Sequence, residues 1–154
     1  MHTNPVYGPI EHKHFIIRAE VKKPFVNVED TKDWLRRLVI AIGMKLCKSG
    51  GPHVDYVEAE GNNGIAGVAM IETSHISVHC WDKEDPALAQ IDVYSCAWYD
   101  PEIVIAFVME MQPTSMKCML LDRSKDIVLE WYGPYEVSND EVSNDKTGKV
   151  RSDC

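Results

Sequence analysis

Apolar residues recur along the chain with two different periods, and the alternation between them outlines the fold. Across residues 27–43, Trp34, Leu35, Leu38, Val39 and Ile42 repeat at about 3.6 residues while Lys32, Asp33, Arg36 and Arg37 fall on the other side, which predicts an amphipathic helix. Asn27 or Asp30 is placed to cap its start, and Gly43 to end it. A second helix is predicted from Asp100-Pro101, a capping residue followed by the proline that suits a first helical turn, with Ile103, Val104, Phe107, Val108 and Met111 as its stripe and Pro113 just past its end. Between and around these helices, segments rich in branched residues predict strands at 14–21, 44–48, 54–59, 65–72, 75–81, 88–96, 116–122 and 127–131. So many strands exclude a helical bundle. Because each helix is amphipathic rather than apolar all round, the expected fold is an α/β two-layer sandwich, a largely antiparallel sheet covered by two helices on one face.

The end of the chain breaks this pattern. Glu136-Val137-Ser138-Asn139-Asp140 is followed at once by Glu141-Val142-Ser143-Asn144-Asp145, and what remains is polar. A repeat so poor in apolar residues buries too little surface to offset its ordering entropy, so 133–154 is expected to be a disordered polar tail behind a single folded domain, 1–132. A chain of 154 residues suits one domain.

Charge and composition narrow the partners. A formal net charge of -8 works against attraction to nucleic-acid phosphates or anionic membranes. No apolar run approaches the roughly 20 residues of a membrane helix, and the opening Met1-His2-Thr3-Asn4-Pro5 does not read as a signal peptide. A cytoplasmic protein with no nucleic-acid or membrane partner is expected. Five cysteines (Cys47, Cys80, Cys96, Cys118, Cys154) without a Cys-x-x-Cys pair suggest buried thiols rather than a disulfide framework or zinc knuckle.

The chemistry concentrates between residues 64 and 96. On a strand, His75, Ser77, His79 and Trp81 share one face and Ile76, Val78 and Cys80 the other; on the next, Gln90, Asp92, Tyr94 and Cys96 lie opposite Ala89, Ile91, Val93 and Ser95. If the two polar faces coincide, they gather His, Ser, Asp, Tyr and Cys. His75 and His79 are separated by roughly 13 Å of strand rise, too far to share one ion. His12 and His14 could share a metal but need a third ligand that the sequence does not identify. Cys96 with His79 could form a nucleophile pair, or both could simply be packed parts of a sheet. The residues alone leave these readings open.

The window Ile71-Glu72-Thr73-Ser74-His75-Ile76-Ser77-Val78-His79-Cys80-Trp81, followed by Ile91-Asp92-Val93-Tyr94-Ser95-Cys96, resembles the small bacterial and archaeal S-adenosylmethionine decarboxylases. Weaker likeness extends over about residues 12 to 131. The resemblance implies a homodimer of two-layer sandwiches in which Ser74 attacks the carbonyl before it. Elimination then cuts the chain between Thr73 and Ser74 and leaves a pyruvoyl group, the family's cofactor, on the new amino terminus. That group forms a Schiff base with the substrate amine and takes up electrons as carbon dioxide leaves. Carried over by position, His79 assists self-processing and Cys96 protonates the substrate carbon. The implied substrate is S-adenosylmethionine, and the implied role is polyamine (spermidine) biosynthesis.

Three positions depart from the family pattern. Glutamate usually precedes the processing serine directly; here Thr73 stands there and Glu72 one earlier. A serine eight residues before the cut is replaced by Ala66, whose methyl group makes no hydrogen bond. An aromatic ring that would stack on adenine aligns with Glu60, which instead offers a negative charge to a cationic substrate. Glu60 and Glu72 are therefore candidate substrate-binding residues. The departures also admit a pyruvoyl decarboxylase of arginine or ornithine, or a non-cleaving homologue acting as a binding or regulatory protein.

Overall fold

The computed structural model describes residues 3–4 as backbone and 6–137 in full. Its elements in order are β1 (Thr3–Asn4), β2 (Gly8–Val21), α1 (Val28–Ala41), β3 (His53–Val57), β4 (Gly64–Ile71), β5 (Ser74–Trp81), β6 (Ala87–Ala97), α2 (Pro101–Val108), β7 (Pro113–Asp122) and β8 (Val128–Pro134). The strands form one sheet in the order β3-β4-β5-β6-β2-β7-β8, with β1 paired to the start of β2. Every pairing is antiparallel.

Both helices form where capping chemistry and apolar spacing agree. The Asn27 side chain accepts from the N–H groups of Glu29 and Asp30, and the Asp100 carboxylate accepts from the Glu102 N–H with Pro101 opening α2. Gly43, at φ 76°, closes α1 in the left-handed conformation that costs glycine little. α2 is shorter than its stripe suggests: it ends at Val108 and gives way to a 3-10 turn at Met109–Met111.

The core lies between the helices and one face of the sheet. Trp34, Leu35, Leu38 and Val39 of α1 and Val104, Ile105 and Val108 of α2 share one buried cluster with Ile17, Ile76, Val78, Ile91 and Val93. The Trp34 indole N–H donates to the Phe107 carbonyl at 3.1 Å, joining the two helices. The two-layer sandwich thus has the expected form, and the second face of the sheet carries no helix among the described residues.

Two boundaries differ from expectation. The segment 44–48 makes only an isolated bridge, Leu46 to Ile71, instead of a strand. The chain there crosses the end of β4 so closely that a Cβ on Gly50 would sit 2.2 Å from the Met70 carbonyl oxygen. At the other end, β8 continues past Tyr132 to Pro134, Tyr135 donates its N–H to the Met116 carbonyl at 2.9 Å, and Tyr135 and Val137 pack against the core. The boundary at 132 is corrected accordingly: an aromatic ring and a valine give residues 133–137 something to bury. The rest of the expected tail, with most of the tandem repeat, lies outside the described residues.

Candidate active site

The polar faces of β5 and β6 do coincide. His75 is directly opposite Tyr94, Ser77 opposite Asp92, and His79 opposite Gln90. Because β2 lies on the far side of β6, His14 also pairs with Tyr94. The open face of the sheet therefore collects polar groups from three adjacent strands, while the alternate residues go to the core.

Ser74 stands where β4 turns into β5. Ile71 pairs with Ser74, leaving Glu72 and Thr73 as a two-residue turn. Such tight hairpins place positive φ at or beside the turn, a demand usually met by glycine. Here it falls on Ser74, at φ 146°, a strained conformation that costs on the order of 1–3 kcal/mol.

The surroundings hold that strained residue in place. Thr73 is 2% exposed and donates its hydroxyl to the Met44 sulfur at 3.1 Å. Its carbonyl oxygen accepts the Cys96 N–H at 2.8 Å, so the peptide ahead of Ser74 is tied to β6. Ser74 Oγ lies 3.1 Å from His75 Nδ1. The Glu72 carboxylate, on the exposed side of the turn, accepts the Tyr7 hydroxyl. Burial and this carboxylate push the tyrosine up to about 12.

One chain therefore brings together Thr73, Ser74, Cys96 and Glu72, but not His79 or Glu60. His79 is five residues further along β5, about 17 Å of rise from Ser74, and is exposed beside the Trp81 ring at 5.6 Å. Ala66 is its direct cross-strand partner. Glu60 lies in the turn before β4, whose eight residues put it about 27 Å from the Ser74 turn. That far end is closed by the Trp81 indole N–H donating to Asn62 Oδ1 at 2.8 Å. The β4–β5 hairpin thus carries one group of candidate residues at each end.

Beside the Ser74 end lies a network that the sequence reading did not assemble. His14 Nε2 donates to Asp92 Oδ1 at 2.7 Å, and Arg123 Nη1 stands 3.5 Å from His14 Nδ1 while its guanidinium lies over the Tyr94 ring at 4.3 Å. His12 Nδ1 meets the Tyr94 hydroxyl at 2.8 Å, so His12 and His14 serve different partners rather than one shared ion. The hydrogen bond from His14 holds the Asp92 carboxyl below its usual range. Burial, then the neighbouring His14, lowers His75. The period-two spacing of His12 and His14 was a visible signal; their partners, 78 and 109 residues away for His14, were not.

The described cysteines, Cys47, Cys80, Cys96 and Cys118, are all free thiols. Cys80 and Cys118 face the core, where burial pushes their thiols up to about 11 and about 12. Cys96 is half-buried on the open face beside the Ser74 turn, the one placement of the four that combines access with a backbone hydrogen bond to the residue before Ser74.

Comparison with known proteins converges on one family. The family model described as S-adenosylmethionine decarboxylase matches residues 19–124. S-adenosylmethionine decarboxylase proenzymes from Pyrococcus horikoshii and Pyrococcus furiosus are 40% and 29% identical over 100 residues, each match covering 63% of this chain and 66% of the relative. That from Thermomicrobium roseum is 33% identical over 63 residues, covering 40% of this chain and 53% of the relative. Each match thus spans less than two thirds of the relative's length. The crystal structure of the adenosylmethionine decarboxylase from Aquifex aeolicus VF5 superposes with a TM-score of 0.58 at 23% identity, covering 80% of this chain and 98% of that one, and shares the fold. With the model matching more than half of its residues, the chain belongs to the S-adenosylmethionine decarboxylase family.

Proposed function

We propose that the chain is a self-processing decarboxylase of S-adenosylmethionine, cut between Thr73 and Ser74. The observation that carries this reading is the backbone at the Thr73–Ser74 junction: Ser74 is held at φ 146°, and the carbonyl before it accepts the Cys96 N–H at 2.8 Å. Attack by Ser74 Oγ on that carbonyl carbon places negative charge on the Thr73 oxygen, where the Cys96 N–H already points. Rearrangement of the amide to an ester also frees Ser74 from the positive φ imposed by the hairpin.

The residues present fit the pyruvoyl group that Ser74 would become. The pairing of residue 74 with Ser95 of β6, which the cut leaves in place, fixes its position, and Cys96 follows Ser95 on the open face. Once formed, the group supplies an electron sink for loss of carbon dioxide from a bound amino acid. Cys96 Sγ then delivers a proton to the substrate carbon, a task suited to a half-buried thiol. Glu72 offers a carboxylate at the turn for the cationic end of the substrate. The product would serve as aminopropyl donor in spermidine biosynthesis.

His79 can assist this chemistry only from a second copy, because its own strand carries it about 17 Å from Ser74. A homodimer joined through the uncovered sheet face would set the far end of one hairpin against the Ser74 end of the other. Val68 and Met70, exposed on that face of β4, supply apolar surface for such a contact. The same arrangement would bring Glu60 to the substrate.

Denaturing electrophoresis with intact mass measurement tests the reading. Two pieces divided at Thr73/Ser74 are expected, together with release of labelled carbon dioxide from S-adenosylmethionine. A single uncut chain of 17.5 kDa would overturn it.

A further inference from the structure

We propose that His75 is the base that takes the proton from Ser74 Oγ in the first step of self-cleavage, a task separate from that of His79. This rests on the reading that Ser74 cuts the chain. His75 Nδ1 is 3.1 Å from Ser74 Oγ, within hydrogen-bond reach of the reacting atom, whereas His79 is at the other end of β5.

A base must present a bare ring nitrogen, and the surroundings of His75 favour one. Its ring packs edge-on against Tyr94 of β6 at 5.8 Å. The charged and titratable groups facing it are Asp92 from β6, His14 from β2 and Arg123 just beyond β7. Burial, His14 and Arg123 disfavour the imidazolium; only Asp92 favours it. The Asp92 carboxylate is engaged elsewhere, accepting from His14 at 2.7 Å and approached by the Ser77 hydroxyl at 3.5 Å. His14 thereby occupies the carboxylate that would otherwise hold His75 in its charged form, and the neutral ring keeps Nδ1 available to the serine. The His14–Asp92–Arg123 network acquires a purpose: it keeps a neighbouring histidine unprotonated.

The step balances within the chain. Nδ1 removes the Oγ proton as Oγ bonds to the Thr73 carbonyl carbon, and the carbonyl oxygen takes the charge against the Cys96 N–H. Collapse breaks the bond from that carbon to the Ser74 nitrogen, which receives the proton back from His75. An amide and a hydroxyl have become an ester and an amine, with no other reactant. A base without its own carboxylate partner is a weak one, which suffices for a reaction that each chain performs once.

The test compares wild-type, His75→Ala and His75→Gln chains, followed by electrophoresis from synthesis onward, with and without hydroxylamine, which cleaves esters but not amides under mild conditions. Both variants should be cut about a hundredfold more slowly than wild type, should resist hydroxylamine, and should be partly rescued by added imidazole. His79→Ala chains, which keep both Ser74 and His75, should still form the ester and so be split by hydroxylamine. Should His75→Ala not fold, His75→Gln, which keeps the size and polarity of the site, decides the outcome. Cleavage of a folded variant at the wild-type rate, or its splitting by hydroxylamine, overturns the role of His75 alone. An uncut wild-type chain overturns the Ser74 reading, and this proposal with it.

Discussion

The Cys96 N–H donates to the Thr73 carbonyl oxygen at 2.8 Å, so the Cys96 backbone meets the candidate cleavage point while its half-buried thiol lies on the open face of β6. The two contributions separate by mutation. Cys96→Ala retains the N–H and loses only the sulfur. Cleavage, timed by electrophoresis, should stay within about threefold of wild type, while decarboxylation falls by about a hundredfold or more, as expected for loss of a proton donor. Equal loss of both would show that the thiol is needed for processing.

Ser74 carries its positive φ whether or not it reacts, which gives a stability test independent of activity. Neither Ser74→Ala nor Ser74→Gly should be cut. Glycine accepts φ 146° readily and alanine does not, so the glycine variant should be more stable by about 1 kcal/mol in denaturant unfolding. Equal stability would mean that the backbone at 74 is relaxed.

The position of His79 predicts complementation. Ser74→Ala and His79→Ala chains should each remain uncut when expressed alone. Co-expressed, they should yield cleavage of the His79→Ala chain only, since that chain keeps its serine and a Ser74→Ala partner supplies the histidine. Cleavage of His79→Ala alone at the wild-type rate would remove His79 from the processing reaction.

These relationships were unequally visible in the sequence. Alternation in β5 and β6 assigned His75, Ser77, His79, Asp92, Tyr94 and Cys96 to the open face, because a half-covered sheet enforces period two wherever a core lies beneath it. The distance between Ser74 and His79 was also implicit, since five strand residues leave no room for a contact. The meeting of His14, Asp92 and Arg123 was not. It depends on β2 running between β6 and β7, a long-range pairing with no local signature. The inward turn of Thr73 was hidden for a related reason: its partner, Met44, lies 29 residues away in a segment that reads as a strand but forms only one bridge.

The pairing of His14 with Asp92 makes stability depend on pH. Because the folded pKa of Asp92 lies below its ordinary 3.8, the stabilisation is present above the unfolded value and is lost as pH falls through the folded one. In a Ser74→Ala background, Asp92→Asn should lower the unfolding free energy at neutral pH by about 1 kcal/mol, a modest figure because the carboxylate is partly solvated. It should also flatten the decline in stability as pH falls below the ordinary aspartate value of 3.8. An unchanged acid profile would mean that the pair contributes nothing to the fold.

Thr73 and Ala66, the two departures nearest the processing chemistry, call for opposite treatment. Thr73 is 2% exposed with its hydroxyl on Met44, so Thr73→Glu would drive a carboxylate into the core. An unpaired buried charge is costly, and this substitution should destabilise the chain by about 3 kcal/mol or more, or expel the turn and slow cleavage. Ala66 is directly opposite His79, and its side chain is only partly buried on the open face. Ala66→Ser adds one hydroxyl beside that imidazole at little steric cost. If the pair assists a partner's Ser74, the rate at which newly made chain is cut should rise severalfold without a change in melting temperature. A faster rate for Ala66→Ser, with no gain when His79→Ala is also present, would tie the hydroxyl to the histidine rather than to the strand that carries it; no gain in either would remove position 66 from the processing reaction.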